Sequence, residues 1–197
     1  MTLGRSSPSA PSWRRALGLW RRDRRGVAAV EFAMVAPIFC AMLAAAVDFG
    51  GVLHTKFELD SAVSAGANYA MVNASEATAS SGATLAGVVS TIVATSQGAG
   101  WANDSVVVNN GPSSSMASGT SSTGGTAANA NNCYCPTVSA STVTWGSSAV
   151  CGSACSGGGI AGKFVQISAS HVYTPMFSSY GLVQNNTITA SAVVEVQ

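Results

Sequence analysis

An apolar stretch near the N-terminus constrains the fold of this chain more than any other feature. Between Val27 and Val47 the 21 residues include one charged side chain, Glu31, and one proline, Pro37. As an α-helix the stretch extends roughly 31 Å, which matches the hydrocarbon core of a bilayer. Membrane helices tolerate an internal proline better than soluble helices do. The stretch therefore predicts one transmembrane helix over residues 27–47.

Charge is distributed unevenly around this stretch. Most of the basic residues precede it: Arg5, Arg14, Arg15, Arg21, Arg22, Arg24 and Arg25. Arginine-rich segments stay on the cytoplasmic side of a membrane helix. We therefore expect residues 1–26 to be a basic cytoplasmic leader in a single-pass protein of the inner (cytoplasmic) membrane, with everything after Asp48 exported. No nucleic-acid-binding motif surrounds the arginines, and we expect no nucleic-acid partner.

A secretory signal peptide is the main alternative for this N-terminus. A basic segment, an apolar stretch and Ala44-Ala45-Ala46, an A-x-A-like cleavage site, are also typical of signal peptides. Glu31 and Pro37 interrupt the stretch where a signal peptide prefers apolar residues, which favours a retained helix. Under the alternative, signal peptidase releases a secreted or periplasmic binding domain, or a simple signal anchor holds that domain uncleaved.

A second motif lies at the start of the apolar stretch. Gly26 is followed by four residues and then by Glu31-Phe32, in the order GVAAVEF. Glycine leaves the backbone accessible to a protease, and an acid in lipid is costly unless it has a partner. The run RRGVAAVEFAMVAPIF, followed by Asp48-Phe49-Gly50 at the far end of the predicted membrane helix, resembles tight-adherence (Tad, Flp-type) prepilins, and most closely their TadE-like pseudopilins. The resemblance covers roughly residues 24–70.

The resemblance implies a processing site and an assembly residue. In that family an aspartic prepilin peptidase cuts after the glycine, here between Gly26 and Val27, so that Glu31 becomes the fifth residue of the mature chain and Phe32 follows it. The resemblance implies that Glu31 pairs with the N-terminus of a neighbouring subunit and sets the register of an assembly.

The same resemblance implies a function and a set of partners. The function is that of a non-enzymatic minor pseudopilin in the assembly or anchoring of a tight-adherence pilus, either within the filament, at its initiation or in the basal machine. The implied partners are a prepilin peptidase, other pilin or pseudopilin subunits with the pilus assembly machine, and the lipid bilayer.

Periodicity beyond the apolar stretch predicts an α+β fold. Apolar side chains at helical spacing extend the first helix over residues 48–73: Leu53, Phe57, Val63, Ala67 and Ala70. A second helix is expected over Ala83–Thr95, and two runs with period two, Phe164–Tyr173 and Thr187–Val196, predict strands with one buried face. We therefore expect residues 74–197 to form an exported domain, in which a small antiparallel sheet packs on the long transmembrane helix in a pilin-like arrangement.

The region between these elements is rich in serine and glycine. Val106–Val108 predict a short strand that ends at Asn109-Asn110-Gly111-Pro112. Residues 111–132 predict a long flexible loop. This loop would form the first part of a flexible, disulfide-stapled region at about residues 111–160.

The chain has five cysteines. Cys40 lies in the apolar stretch and is expected to be a small buried hydrophobe. Four lie in the exported part: Cys133, Cys135, Cys151 and Cys155. An even set in an oxidising compartment predicts two disulfides. Because a Cys133–Cys135 bridge would close a very tight ring, we expect cross-pairing between the two clusters, while a C-x-C…C-x-x-x-C zinc site fits the spacing and compartment less well.

No residue pattern predicts catalysis. The two histidines, His54 and His171, fall in different elements, and no serine lies in a G-x-S-x-G turn. The glycines at 157–159 lack the rest of a nucleotide-binding motif. We therefore expect no enzymatic activity, no cofactor and no metal.

Overall fold

A computed structural model describes residues 26–139, 142–176 and 184–197. The predicted leader lies outside the described residues except for Gly26, as does part of the connection after Pro175. The chain divides into two compact units, Met1–Ala46 and Val47–Gln197. The two parts are therefore described one at a time.

The first helix, α1, spans Val27–Val72 without interruption. Neither Pro37 nor Gly50-Gly51 ends it, which confirms the prediction of one long helix. Its apolar N-terminal part is mostly exposed, with no buried residue from Val27 to Val47. Within the described residues, α1 is the helix that is long and apolar enough to cross a membrane.

Helix α2 spans Gly82–Ala94, one residue from the prediction at each end. It packs closely on the C-terminal part of α1 at Gly66. A Cβ atom on Gly66 would lie 2.9 Å from a methyl carbon of Val93 and 3.2 Å from one of Val89. Only a residue without a side chain permits this approach, because contacts shorter than about 3.4 Å between carbon atoms are repulsive.

Nine strands complete the part of the chain that the structure describes. The first three are β1 (Asn103–Val108), β2 (Ser113–Ala117) and β3 (Thr120–Gly124). Four short strands follow: β4 (Cys133–Tyr134), β5 (Thr137–Ser139), β6 (Thr142–Thr144) and β7 (Ser148–Ala149). The last two are β8 (Phe164–Val172) and β9 (Thr187–Glu195).

The main sheet has five strands in the order β3-β2-β1-β8-β9. All its neighbouring strands are antiparallel. In β8, Val165, Ile167 and Ala169 are buried and alternate with partly exposed residues, as the period of two predicts. The α+β class with an antiparallel sheet is therefore confirmed.

The structure corrects the predicted loop at residues 111–132. Residues Ser113–Ala117 and Thr120–Gly124 form a hairpin that adds two strands to the sheet. The hairpin turns at Ser118 and Gly119, where φ is 50° and 79°. Backbone pairing with β1 holds this polar hairpin, so its low apolar content gave no sequence signal.

One hydrophobic core lies between the helices and one face of the sheet. It includes Leu59, Val63, Leu85, Val89, Val106, Val108, Val165, Ile167 and Ile188. The stripe predicted on α1 is right for Val63, Ala67 and Ala70. It is wrong for Leu53 and Phe57, which are 39 % and 67 % exposed. The buried side of α1 instead begins at Asp48 and continues through Leu59.

Candidate functional site

The predicted processing position lies at an open end of α1. Gly26 immediately precedes the helix, is exposed, and has no atom within 4 Å of the position that a Cβ would take. Val27 is the first residue of α1 and is also exposed. Within the described residues, nothing covers the peptide bond between them.

Glu31 lies one helical turn beyond Val27 on the same side of α1. Its side chain is exposed, and no basic group in the described part of the chain lies within ion-pair distance of it. Phe32, its neighbour, is 72 % exposed. The contacts made within one chain therefore leave the acid and the adjacent aromatic ring available to another molecule or to lipid.

The helix surface around these residues is apolar. Its exposed large side chains include Val30, Met34, Val35, Ile38, Phe39, Met42 and Leu43. Cys40, expected to be a small buried hydrophobe, is exposed on the same helix, so any burial of its side chain would have to come from lipid or another chain. An apolar surface of this extent requires lipid or other apolar chains around it.

Asp48, which follows the apolar stretch directly, is held by residues that follow strand β8. Asp48 is fully buried. The hydroxyl of Tyr173 donates to the backbone oxygen of Asp48 at 3.2 Å, and the backbone N–H of Met176 donates to Asp48 Oδ1 at 2.9 Å. A Cβ atom on Gly51 would collide with the same Tyr173 hydroxyl. We name Asp48, Gly51, Tyr173 and Met176 the clasp.

The sequence analysis missed the clasp. It treated Asp48 only as the point where the chain leaves the membrane. The available signal was the combination of an acid directly after an apolar stretch with Gly50-Gly51, because a buried carboxylate needs hydrogen-bond donors and a close approach needs glycine.

Lys56 forms a second link between α1 and the sheet. Its Nζ donates to Asp60 Oδ1 at 2.7 Å and to the backbone oxygen of Thr189 at 2.8 Å. Thr189 is on β9, the edge strand. The contact satisfies an edge carbonyl and places a positive charge there, which discourages pairing with another chain.

The four cysteines beyond α1 are brought together in two bridges. Cys133 is bonded to Cys151, and Cys135 to Cys155. This is one of the two cross-pairings that the sequence left open. The described residues contain no cluster of three or more histidine, cysteine or acidic side chains able to hold a metal ion.

Asn109 attaches the bridged region to the sheet. Its side chain is fully buried, donates from Nδ2 to the Ala130 carbonyl at 3.0 Å and accepts from the Phe164 N–H at 3.3 Å. Its φ of 50° lies in the left-handed region, which asparagine tolerates better than most residues. The sequence analysis identified a turn here but not this buried side chain.

The two histidines have separate structural contacts. Nδ1 of His171 lies 2.6 Å from the carbonyl oxygen of Trp101, and the two rings stack with centroids 4.8 Å apart. Because a carbonyl only accepts, Nδ1 carries the proton. His54 Nδ1 lies 3.5 Å from Glu58 on the next turn of α1. The structure does not bring the two rings into one site.

Asp104 is a buried acid on β1 that the sequence analysis also missed. Its Oδ1 accepts from the Ser90 hydroxyl and the Met116 N–H, each at 3.1 Å. Its Oδ2 is buried without a hydrogen-bond partner among the described residues. Burial raises the pKa of this carboxyl to about 6, and the two hydrogen bonds partly oppose that rise.

These features define a class of protein. A long N-terminal helix indicates a single-pass membrane anchor, and the same helix continues into an α+β domain with an antiparallel sheet.

The family comparison identifies the segment more closely. A family model described as TadE-like protein matches residues 26–68 of the 197, which confirms the resemblance seen in the sequence. The match begins at Gly26, covers most of α1 and ends before α2 and the sheet. It indicates a role associated with the tight-adherence pilus and its components. No curated protein and no solved structure gave a significant match.

Proposed function

We propose that this chain is a non-enzymatic minor pseudopilin that a prepilin peptidase cleaves between Gly26 and Val27 and that helps to build or anchor a tight-adherence pilus. One observation carries the proposal. The TadE-like match begins at the glycine proposed for cleavage and continues through the helix that would form the mature N-terminus.

The exposure of the helix start supports this function. A peptidase at the membrane surface needs an accessible peptide bond, and both Gly26 and Val27 are exposed. Cleavage there would create a positively charged amino group at Val27. Glu31 would then lie about 6 Å from its own N-terminus along the helix, a spacing that a neighbouring subunit shifted by one turn could use for an ion pair.

The apolar surface of α1 supports assembly within a membrane. Apolar side chains surround the exposed carboxylate of Glu31. Because lipid disfavours an unpaired acid, pairing with another subunit's N-terminus would lower the cost of keeping Glu31 in this position. The other subunits and the assembly machine are the partners that this function requires.

The position of the mature N-terminus tests the proposal. The full-length chain is co-expressed with the prepilin peptidase of the same system, and the product is sequenced from its N-terminus. We expect Val27 as the first residue, and Gly26→Arg should block the cut. The matched control is Gly157→Arg, a glycine in equally open space, which should be processed normally.

A different N-terminus would indicate a different class of protein. A product that begins at Val47 would show release by signal peptidase and a secreted or periplasmic domain. An uncut chain would be a simple signal anchor. Normal processing of Gly26→Arg would remove the basis for a peptidase of this kind.

A further inference from the structure

We propose that the exported domain touches the membrane surface a second time, through a collar formed by Phe49, Leu53 and Met176. The ligand is the boundary between headgroups and acyl chains of a phospholipid bilayer. The inference rests on the membrane span and goes beyond the proposed cleavage and assembly.

The two helix residues of the collar lie just beyond the apolar stretch. At about 1.5 Å per residue, Phe49 is roughly 3 Å and Leu53 roughly 9 Å past Val47 along α1. The interfacial layer on each side of the hydrocarbon core is about 5–8 Å thick. Phe49 is 54 % and Leu53 39 % exposed, so Phe49 presents apolar surface within that layer and Leu53 presents it at the outer edge.

Met176 lies close to the same depth but belongs to a different element. It follows β8, and its backbone N–H is bound to Asp48 Oδ1, one residue past Val47. Its side chain is 75 % exposed. The clasp thus fixes an exposed apolar side chain, from the segment that follows β8, beside Asp48 of α1.

The charges near the collar agree with contact to lipid. Between Val47 and Leu53 the single charged residue is Asp48, and it is fully buried. Beyond Leu53 the exposed surface of α1 becomes mostly polar with His54, Ser61, Ser64 and Asn68, all exposed, although Phe57 is exposed as well. The change in polarity falls where a membrane surface would end.

The arrangement of the collar favours a bilayer over a second copy of the chain. A neighbouring helix packs on a ridge of residues three or four positions apart along one helix. Met176 belongs to no such ridge, because it lies on a different element at the level of Asp48. An exposed apolar side chain on a separate element beside Asp48, in addition to those on α1, suits a membrane surface better than the single ridge that a neighbouring helix would need.

The test measures the depth of Met176 in vesicles. The full-length Met176→Cys protein, in a Cys40→Ala background, is labelled with an environment-sensitive fluorophore while the two disulfides stay oxidised. It is reconstituted into phosphatidylcholine and phosphatidylglycerol vesicles that carry a nitroxide near the carboxyl end of the acyl chain. The Met176 contact in the clasp uses only its backbone N–H, so the substitution keeps that bond.

The matched control is Val72→Cys. Val72 is apolar, 85 % exposed and the last residue of α1, roughly 37 Å beyond Val47. We expect the fluorophore at position 176 to shift to shorter wavelength and to lose several-fold more fluorescence than the one at position 72. A label at Thr174, an exposed neighbour, should show the same loss of fluorescence. This second position checks that the result at position 176 does not come from a local distortion caused by the substitution.

A label on native Cys40, with a nitroxide placed deep in the acyl chain, reports the span by itself. If the label on Cys40 is quenched while the label at position 176 behaves like the one at position 72, the proposed membrane contact of the collar is wrong, and the membrane-spanning helix is still supported. If Cys40 is not quenched either, the span and the collar are both wrong. Efficient cross-linking between two copies at position 176 without quenching would assign this surface to a second copy and overturn the proposal.

Discussion

The hydroxyl of Tyr173 occupies the space beside Gly51 that any side chain there would need, and it donates a hydrogen bond to the Asp48 carbonyl at 3.2 Å. These residues are far apart in sequence, since 125 positions separate Tyr173 from Asp48. The contact joins the end of β8 to α1 at the point where its apolar stretch ends.

Replacement of Gly51 by alanine should therefore destabilise the domain. The new methyl group displaces the Tyr173 hydroxyl, and overpacking of this kind costs about 1–3 kcal/mol in the free energy of unfolding. Thermal unfolding of the full chain in detergent, followed by near-ultraviolet circular dichroism, measures the loss. Gly50→Ala is the matched control, because a Cβ there meets nothing within 4 Å, and alanine in a helix is favoured by up to about 1 kcal/mol. Equal melting temperatures for the two variants would contradict the clasp.

Stability should depend on pH through Asp104. Its pKa is raised to about 6 from 3.8 in the unfolded chain, so the folded state binds the proton more tightly. The free energy of unfolding should therefore fall as pH rises from about 4 to about 6, by at most about 3 kcal/mol, and then level off. Asp104→Asn should remove this fall, as measured by urea unfolding at several pH values.

The control for Asp104 is Asp60→Asn. Asp60 is half-exposed and paired with Lys56, so this variant should keep the fall between about pH 4 and about pH 6. An unchanged pH profile in Asp104→Asn would show that another group is responsible.

If the domain is exported as proposed, its four cysteines should be fully oxidised in protein isolated from the envelope. Non-reducing peptide mapping should find Cys133 joined to Cys151 and Cys135 to Cys155. The bridges close loops with sequence separations of 18 and 20, and loss of one should cost about 3 kcal/mol on the chain-entropy account. Four alkylatable thiols, or the other cross-pairing, would contradict the structure.

Replacement of Glu31 should separate assembly from anchoring. Glu31→Gln or Glu31→Ala should insert and be processed normally, because lipid disfavours the acid in any case, but piliation should fall. Loss of one partner of a buried pair costs about 3–5 kcal/mol, and even about 1.4 kcal/mol weakens each subunit contact tenfold. Glu58→Gln, at a solvent-side acid paired with His54, is the control. Normal piliation with Glu31→Ala would indicate that Glu31 is an acid at the membrane interface without a role in assembly.

Periodic apolar patterns predicted the parts of this fold that depend on local sequence. The bounds of α1, α2, β8 and β9 each fall within one residue of the predictions. Each of these elements buries a regular series of side chains, and such a series is visible in the sequence alone.

The remaining features depend on contacts that sequence spacing does not encode. The β2–β3 hairpin is held by backbone pairing with β1, supported by the Asp104 carboxylate at Met116. Asp48 is buried because distant residues cover it, and Phe57 is exposed because the sheet packs on another side of α1. The exposed Gly26 and Glu31 were found through a family motif, since local physics alone gives no reason to single them out.

The strand order would affect how the domain folds during the proposed export. Central strand β1 pairs on one side with β2, which follows at once, and on the other with β8, where Ser168 lies 63 residues beyond Ser105. If the domain is exported from its N-terminal end as proposed, one edge of β1 would stay unpaired until most of the domain has emerged. Such an edge is prone to pair with another chain. The two disulfides close loops within the segment between β1 and β8, so their early formation would ease the pairing of these strands once β8 has emerged, and oxidation would affect the yield of folded protein as well as its final stability.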